Sequence, residues 1–117
     1  MEDGERTRRE VLGEEHVDRA LSGASEYARP FQDYLTDVAW GRVWARPGLD
    51  RRTRSCLTIA LLTALGAENE LPMHLQAAIR NGLTPEEIRE VIIQAGLYAG
   101  IPKANAAMKL ADEAFGG

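Results

Sequence analysis

The sequence has few residues of several kinds, and each scarcity excludes a class of protein. Its 117 residues include a single cysteine, Cys56, so an intrachain disulfide is impossible. No apolar run reaches the roughly 20 residues that a membrane-spanning helix needs. Because the formal net charge is -4, nucleic acid is not an expected partner. The first ten residues are charged and lack the apolar core of a signal peptide, so we expect a cytoplasmic protein with no membrane partner.

Lysine is also scarce, because 12 of the 14 basic residues are arginine. The forked guanidinium group of arginine suits carboxylates and phosphates better than a lysine ammonium does. Genomic base composition would explain the overall bias equally well. It would not explain why five arginines fall between residues 42 and 54. This cluster therefore marks a candidate anion site in an acidic chain.

The spacing of apolar residues is helical throughout, and no segment alternates long enough to predict a strand. Short helices are predicted over residues 5–12 and 14–22, parted by Gly13, and a longer helix over 31–44. On one side of the longer helix, Phe31, Tyr34, Leu35 and Val38 lie at helical spacing, and Arg42 is a further candidate for that side. The length fits one domain, so we expect a single all-α domain over residues 1–117.

The next two helices are bounded by residues that start or stop helices. Asp50 is a predicted N-cap and Gly66 a predicted stop for a helix whose interior, CLTIALLTAL, is apolar on every side. Such a helix is buried in a core or between subunits. The following helix is expected to end at Asn81-Gly82. One of its faces carries Leu71, His74, Leu75 and Ala78.

The last two helices have equally clear boundaries. Thr84 is a predicted N-cap, with Pro85 at the first helical position and Glu87 completing a capping box. The apolar stripe of this helix is expected to contain Ile88, Val91, Ile92, Ala95 and Tyr98. A final helix follows in the segment GIPKANAAMKLADEAF.

His74 is the candidate proton donor, because imidazole titrates near neutral pH. It follows Glu70 by four residues, a spacing that lets the carboxylate reach or charge-stabilise the imidazole. The alternative is a core histidine bonded to a backbone carbonyl. One His and one Glu are too few ligands for a zinc site, so no metal is expected.

Arg51, Arg54 and Ser55 lie on one side of the helix that follows Asp50, while Arg52 points away. Beside the free N–H groups of a helix N-terminus they form a candidate anion site. A solvated surface, or ion pairs between subunits, is the alternative.

Trp40 and Trp44, four residues apart, are candidates to wall a pocket for a flat ring, with core packing as the alternative. Neither His16 nor Cys56 is assigned a role. We interpret His16 as a surface histidine and Cys56 as an inert buried thiol.

Three stretches of the sequence resemble the carboxymuconolactone decarboxylase family, which shares its fold with the alkylhydroperoxidase D proteins. They are VLGEEHVDRAL, the segment from FQDYLTDVAWGRVW to LLTALG, and the segment from ENELPMHLQAAIRNG to IPKANAA. The most specific parts are the RPGLDRRTRS run and the Glu70–His74 pair. In the peroxidase branch two cysteines stand where this chain has Ala67 and Glu70, and an acid stands at Ser55. Without a cysteine pair, disulfide redox chemistry cannot run.

The resemblance implies an alkylhydroperoxidase D-like fold, a ring-like homo-oligomer (often a hexamer) and a lyase without cofactor or metal. The implied substrate is a dicarboxylate lactone, 4-carboxymuconolactone, and the implied product is β-ketoadipate enol-lactone, in protocatechuate breakdown. Glu70 and His74 would then be catalytic, and Arg51, Arg54, Ser55 and Trp44 would bind substrate. Two other hypotheses remain open: a peroxidase-like redox or stress protein of the same fold, and a helical assembly module without catalysis.

Overall fold

The computed structural model describes residues 2–117, and within this range all regular structure is helical, which confirms the all-α prediction. The elements are α1 Glu2–Leu12, α2 Glu14–Ser22, α3 Arg29–Leu35, a π-helix Thr36–Trp44, α4 Arg51–Leu65, α5 Leu71–Arg80, α6 Pro85–Ala99 and α7 Ile101–Phe115. The chain divides into two compact units, the first ending at Arg51 and the second covering Arg52–Gly117. None of the described helices is long and apolar enough to cross a membrane.

In the first unit, α1 packs closely against the π-helix. Gly4 makes this possible, because a Cβ at that position would lie 2.3 Å from the Thr36 carbonyl oxygen. Gly41 faces the same contact, with the Gly4 Cα 3.5 Å from where its own Cβ would be. The buried face of α1 is continued by Thr7, Arg8 and Val11. Glycine thus sets the distance between the two helices, as it does wherever backbones approach closely.

The segment predicted as one helix over 31–44 is helical, but it begins at Arg29 and changes to π-helical hydrogen bonding at Thr36. The apolar spacing does not mark the buried side: Phe31 and Tyr34 are each 62% exposed, whereas Thr36 and Trp40 are buried. The reason is that α1 docks on the side where small and polar groups allow close approach, and apolar content alone does not reveal that side.

Gly13 separates α1 from α2, as the sequence predicts, and its φ of 97° lies in the region that favours glycine. Arg9 of α1 then joins the two helices. Its Nη1 lies 3.0 Å from Glu14 Oε2 and 2.6 Å from Asp18 Oδ1, both on α2.

The second unit has one apolar core, to which α4, α5, α6 and α7 all contribute. Its buried residues are Ile59, Leu71, Leu75, Ala78, Leu83, Ile88, Ile92, Ala107 and Ala111. Helices α6 and α7 make their closest approach at Gly96, where an added Cβ would lie 2.4 Å from the Ala104 Cβ.

The predicted ends of α4 and α5 and the predicted start of α6 are confirmed, whereas α5 begins only at Leu71. Gly66 and Gly82 have φ of 69° and 105° and end α4 and α5, each with paired backbone hydrogen bonds of the Schellman type. Thr84 and Glu87 form the capping box of α6, and each accepts a hydrogen bond from the other's backbone N–H. Arg52 of α4 also pairs with Glu87.

Two helical faces expose apolar side chains. On α4, Ser55, Ile59 and Thr63 point inward, and a row of leucines is exposed: Leu57, Leu61 and Leu65. On α6, Tyr98, a member of the predicted apolar stripe, is 83% exposed. The inner stripe is Ile88, Ile92 and Gly96, because α7 packs closely where Gly96 has no side chain.

Candidate active site

His74 lies in α5, and its helix places it beside the core of the second unit. The side chain is half-buried, and Leu71, Leu75 and Ala78 on the neighbouring positions of α5 are buried. The His74 backbone N–H donates to the Glu70 carbonyl oxygen at 3.4 Å. Glu70 itself stands at the N-cap of α5, and its side chain is exposed. A half-buried imidazole with an acidic residue one turn away can hold and release a proton.

Arg54 and Ser55 lie in the first turns of α4. Arg54 is half-buried, and Ser55 is buried at 3% exposure. The Asn81 Nδ2 donates to Ser55 Oγ at 3.0 Å, and the Thr58 hydroxyl donates to the Arg54 carbonyl at 2.9 Å. An arginine in the first turns of a helix, near the helix N-terminus, is suited to bind a carboxylate.

Asn81 hydrogen-bonds to Ser55, although the sequence pattern indicates no role for it beyond a helix stop. His74, Ala78 and Asn81 follow one another at i, i+4 and i+7, so they share one side of α5. Asn81, the residue that follows α5, reaches Ser55 of α4. His74 lies about 10 Å from Asn81 along the helix axis. The Asn81–Ser55 hydrogen bond thus ties the end of α5 to the first turns of α4, within the second unit.

The remaining arginines at the start of α4 each have an acidic partner. Arg51 Nη1 lies 2.7 Å from Glu10 Oε1 in the first unit. Arg52, expected to point away from Arg51 and Arg54, pairs with Glu87 in the second unit. These carboxylates offset the unfavourable placement of cations at the positive end of a helix.

Trp44 ends the π-helix and stacks on Trp40, with ring centroids 5.2 Å apart and an interplanar angle of 29°. Trp40 is buried and Trp44 half-buried, so one ring belongs to the interior of the first unit and the other is partly accessible. Cys56 is a free, half-buried cysteine on α4.

Comparison with known proteins assigns this helical chain to a family. The model of the carboxymuconolactone decarboxylase family matches residues 29–113, which include α3 to α7. The chain belongs to the carboxymuconolactone decarboxylase family. Membership confirms the resemblance drawn from the RPGLDRRTRS run and the Glu70–His74 pair.

Individual members of the family and its neighbours differ in chemistry. The chain is 52% identical to a 4-carboxymuconolactone decarboxylase of Acinetobacter baylyi, over 96% of this chain and 84% of the relative. It is 46% identical to a nitrosuccinic acid decarboxylase, npaB, of Metarhizium robertsii, over 92% of this chain and 76% of the relative. It is 30% identical to an alkyl hydroperoxide reductase AhpD of Corynebacterium aurimucosum, over 82% of this chain and 61% of the relative.

Proposed function

We propose that this protein is a carboxy-lyase that converts 4-carboxymuconolactone to β-ketoadipate enol-lactone in protocatechuate breakdown. The observation that carries the proposal is its 52% identity, across nearly the whole chain, to a decarboxylase of that substrate. A second decarboxylase at 46% identity supports the same reaction type. The peroxidase alternative has weaker support, because the chain has a single cysteine and its match to the hydroperoxide reductase is more distant.

The substrate can supply its own electron sink. When the bond from the ring carbon to the departing carboxylate breaks, CO₂ leaves and its electron pair passes through the ring alkene to the lactone carbonyl. A proton delivered to the ring then gives the enol-lactone. The protein must bind a dianion, stabilise the oxygen that gains charge and donate one proton. We propose that it needs no cofactor or metal for these tasks.

His74 is the proposed proton donor, and Glu70 is proposed to orient it. Arg54 and Ser55 are proposed to hold the carboxylate that stays, or the lactone oxygen that gains charge. They would not hold the departing carboxylate, because stabilising that charge in the ground state slows its loss. The Asn81–Ser55 hydrogen bond supports a fixed position for the Ser55 hydroxyl.

Two further roles rest on the sequence alone. Arg51 is proposed as a second cation for the dianionic substrate, and Trp44 as the apolar wall for the departing carboxylate. The half-buried state of the Trp44 ring is compatible with such a wall. Each role has its own test, since Arg51→Ala should raise KM and Trp44→Ala should lower kcat.

The decisive assay is CO₂ release from freshly prepared 4-carboxymuconolactone, with a chelator present and the wild-type protein as reference. His74→Asn is expected to lower kcat by roughly 10²–10⁴-fold. Gln76→Ala, an exposed position on the same helix, is the matched control and should keep the wild-type rate. A wild-type protein that releases no CO₂ would refute the function, and full activity of His74→Asn would refute only the role of that histidine.

Arginine variants separate substrate binding from surface charge. Arg54→Ala is expected to raise KM or lower kcat, because it removes a cation proposed to touch the substrate. Arg52→Ala is the control, since its exposed guanidinium pairs with Glu87. If the two variants have the same kcat and KM, Arg54 is a surface charge and does not bind the substrate.

Nitrosuccinic acid is a second candidate substrate, favoured by the 46% identity to a nitrosuccinic acid decarboxylase. Its nitro group can accept the electron pair left by CO₂, as the lactone carbonyl does in the first substrate. A proton then goes to the carbon that lost CO₂, whereas in the lactone it goes to the ring carbon next to the carbonyl. The two acids share two carboxylates, the loss of CO₂ and the need for one proton, so one binding site would serve both. Comparing kcat/KM for the two acids decides between them, and a hydroperoxide reduction assay tests the peroxidase alternative.

We also propose that the protein forms a homo-oligomer, with a hexamer as the expected size. The exposed leucine row of α4 supports this, as does a second apolar face formed by Ile93, Leu97, Tyr98 and Ile101. That second face borders a groove of about 490 Å³. Burying one large apolar side chain contributes about 1.5–3 kcal/mol, so covering such faces with other copies is favourable.

Light scattering on the purified protein tests the assembly. Leu97→Arg is expected to give a smaller particle, whereas Gln76→Arg, outside both faces, should leave the mass unchanged. A monomeric wild-type protein would refute the oligomer, and a ring of another size would refute only the hexamer.

Residues 1–117 are further proposed to act as one domain in the cytoplasm. The family match supports one domain, because residues 29–113 include parts of both compact units. A single cooperative urea transition, followed at several wavelengths, is the expected result.

A further inference from the structure

Arg8 is a buried cation to which the analysis of the sequence assigned no role. It is 4% exposed, in the face of α1 that packs on the π-helix. Its Nη1 donates to Gln32 Oε1 at 3.0 Å and to Thr36 Oγ1 at 3.1 Å. Both acceptors are neutral. A buried charge is expensive unless it is paired, so a guanidinium with neutral partners calls for an explanation.

Glu5 and Arg9 exert opposite fields on Arg8. Glu5 exerts a favourable field on Arg8, but its Oε2 bonds to Arg9 at 3.2 Å. Arg9 is a like charge close to Arg8. Burial and Arg9 together lower the pKa of the Arg8 guanidinium, and Arg8 in turn helps to lower the pKa of His16. The region around Arg8 is therefore short of negative charge.

Two buried N–H groups in the first unit have no acceptor among the described residues: Arg8 Nε and Trp40 Nε1. Trp40 is 5% exposed and follows Thr36 by four residues, close to one turn of the π-helix. Buried donors without acceptors are rare in proteins and indicate a water or a ligand that accepts from them.

The two donors belong to the same helix contact. Gly4 meets Thr36 and Gly41, whereas Arg8 meets Gln32 and Thr36, so α1 and the π-helix run in opposite directions. Side chains of an α-helix tilt towards its N-terminus. The Arg8 guanidinium lies at Gln32 and Thr36, and Trp40 follows Thr36 by about one turn of the π-helix.

We propose that Arg8 and the indole N–H of Trp40 bind one carboxylate of a small organic acid. A carboxylate supplies the negative charge that the guanidinium lacks, and its two oxygens can accept from both unpartnered donors. Charge-assisted bonds from arginine to carboxylate are among the strongest hydrogen bonds in proteins. The proposal does not rest on the proposed function, since neither residue was assigned to the decarboxylase site.

Fluorescence offers a direct probe, because the chain contains only two tryptophans, Trp40 and its stacking neighbour Trp44. The experiment titrates succinate into the wild-type protein and compares sodium chloride at equal ionic strength. A saturable change of emission with succinate, absent with chloride, is expected. Calorimetry under the same conditions gives the dissociation constant independently.

Three variants sharpen the test. Arg8→Gln is expected to weaken succinate binding at least about tenfold, because it removes the charged donor. Arg6→Gln, an exposed position on the same helix, should bind succinate as the wild type does. Trp40→Phe keeps the aromatic ring and removes the N–H, so calorimetry should show weaker binding even if Arg8→Gln fails to fold.

The outcomes distinguish the source of the acid. Loss of succinate binding together with a raised KM in Arg8→Gln identifies the carboxylate as the substrate's. Loss of binding with an unchanged KM identifies another organic acid. Succinate binding that is absent in the wild type, or unchanged in both Arg8→Gln and Trp40→Phe, overturns the proposal and leaves an ordered water as the partner of these donors.

Discussion

A methyl group added at Gly96 should push α6 and α7 apart, and a methyl group removed at Ala104 should bring them back together. The Cβ of Gly96→Ala would lie 2.4 Å from the Ala104 Cβ, whereas carbon atoms in contact normally lie 3.5–4.0 Å apart. Relieving that overlap requires more than about 1 Å of movement in a close-packed core. Overpacking of this kind typically costs about 1–3 kcal/mol.

Helix propensity acts in the opposite direction. Replacing glycine by alanine inside a helix stabilises that helix by up to about 1 kcal/mol. Gly96→Ala should therefore lower the free energy of unfolding by about 1–2 kcal/mol overall. Ala104→Gly should lose about 1 kcal/mol through propensity. In the double variant the next atom facing the new Cβ is the Ala104 Cα at 3.7 Å, an ordinary contact. The double variant should therefore be more stable than the sum of the single changes predicts.

Urea unfolding of the four proteins, at one protein concentration, measures this coupling. A favourable coupling free energy of about 1–3 kcal/mol is expected, within the range seen for residues in contact. The reasoning is refuted if the two single effects simply add, or if Gly96→Ala is as stable as the wild type.

Three further predictions concern stability. Gly4→Ala should lower the urea midpoint, because its Cβ would lie 2.3 Å from the Thr36 carbonyl oxygen. Gly41→Ala should leave the midpoint unchanged, because the nearest contact of its Cβ would be at 3.5 Å. Equal midpoints of the two variants would contradict this. Thr84→Ala should lower the free energy of unfolding by about 1 kcal/mol, because it removes the N-cap of α6. An unchanged urea midpoint would show that the capping box does not stabilise the protein. Burial and Arg8 hold the pKa of His16 below its usual 6.5, so the unfolded state takes up the proton first as the pH falls. The free energy of unfolding should fall below about pH 6.5 in the wild type and fall less in His16→Asn. If the two proteins have parallel pH profiles of stability, His16 is not responsible for the decline.

Local sequence signals predicted the helix boundaries because the chemistry of a helix end is local. Gly13, Gly66 and Gly82 adopt positive φ where the sequence placed stops or breaks, and Thr84 caps α6 through its own side chain. These features depend on residues within one or two turns. They are therefore readable without knowledge of the tertiary contacts.

Side-chain burial was less predictable, because it depends on which helix docks on which face. Phe31 and Tyr34 are exposed although they lie at helical spacing, since α1 approaches through Gly4 instead. Arg8 was missed for a related reason, because a charged residue in an amphipathic helix ordinarily indicates the solvent side. Its burial follows from the same close approach, and no periodicity of the sequence reports it.

The arginines at the start of α4 show how far composition can guide an assignment of function. Read together, Arg51, Arg52 and Arg54 indicate one anion site. The structure gives Arg51 and Arg52 carboxylate partners from the chain itself, Glu10 and Glu87. Two arginines of the cluster thus form ion pairs with acids of this chain. Arg54 is half-buried next to the buried Ser55, so the comparison of Arg54→Ala with Arg52→Ala tests whether a substrate carboxylate binds at this position.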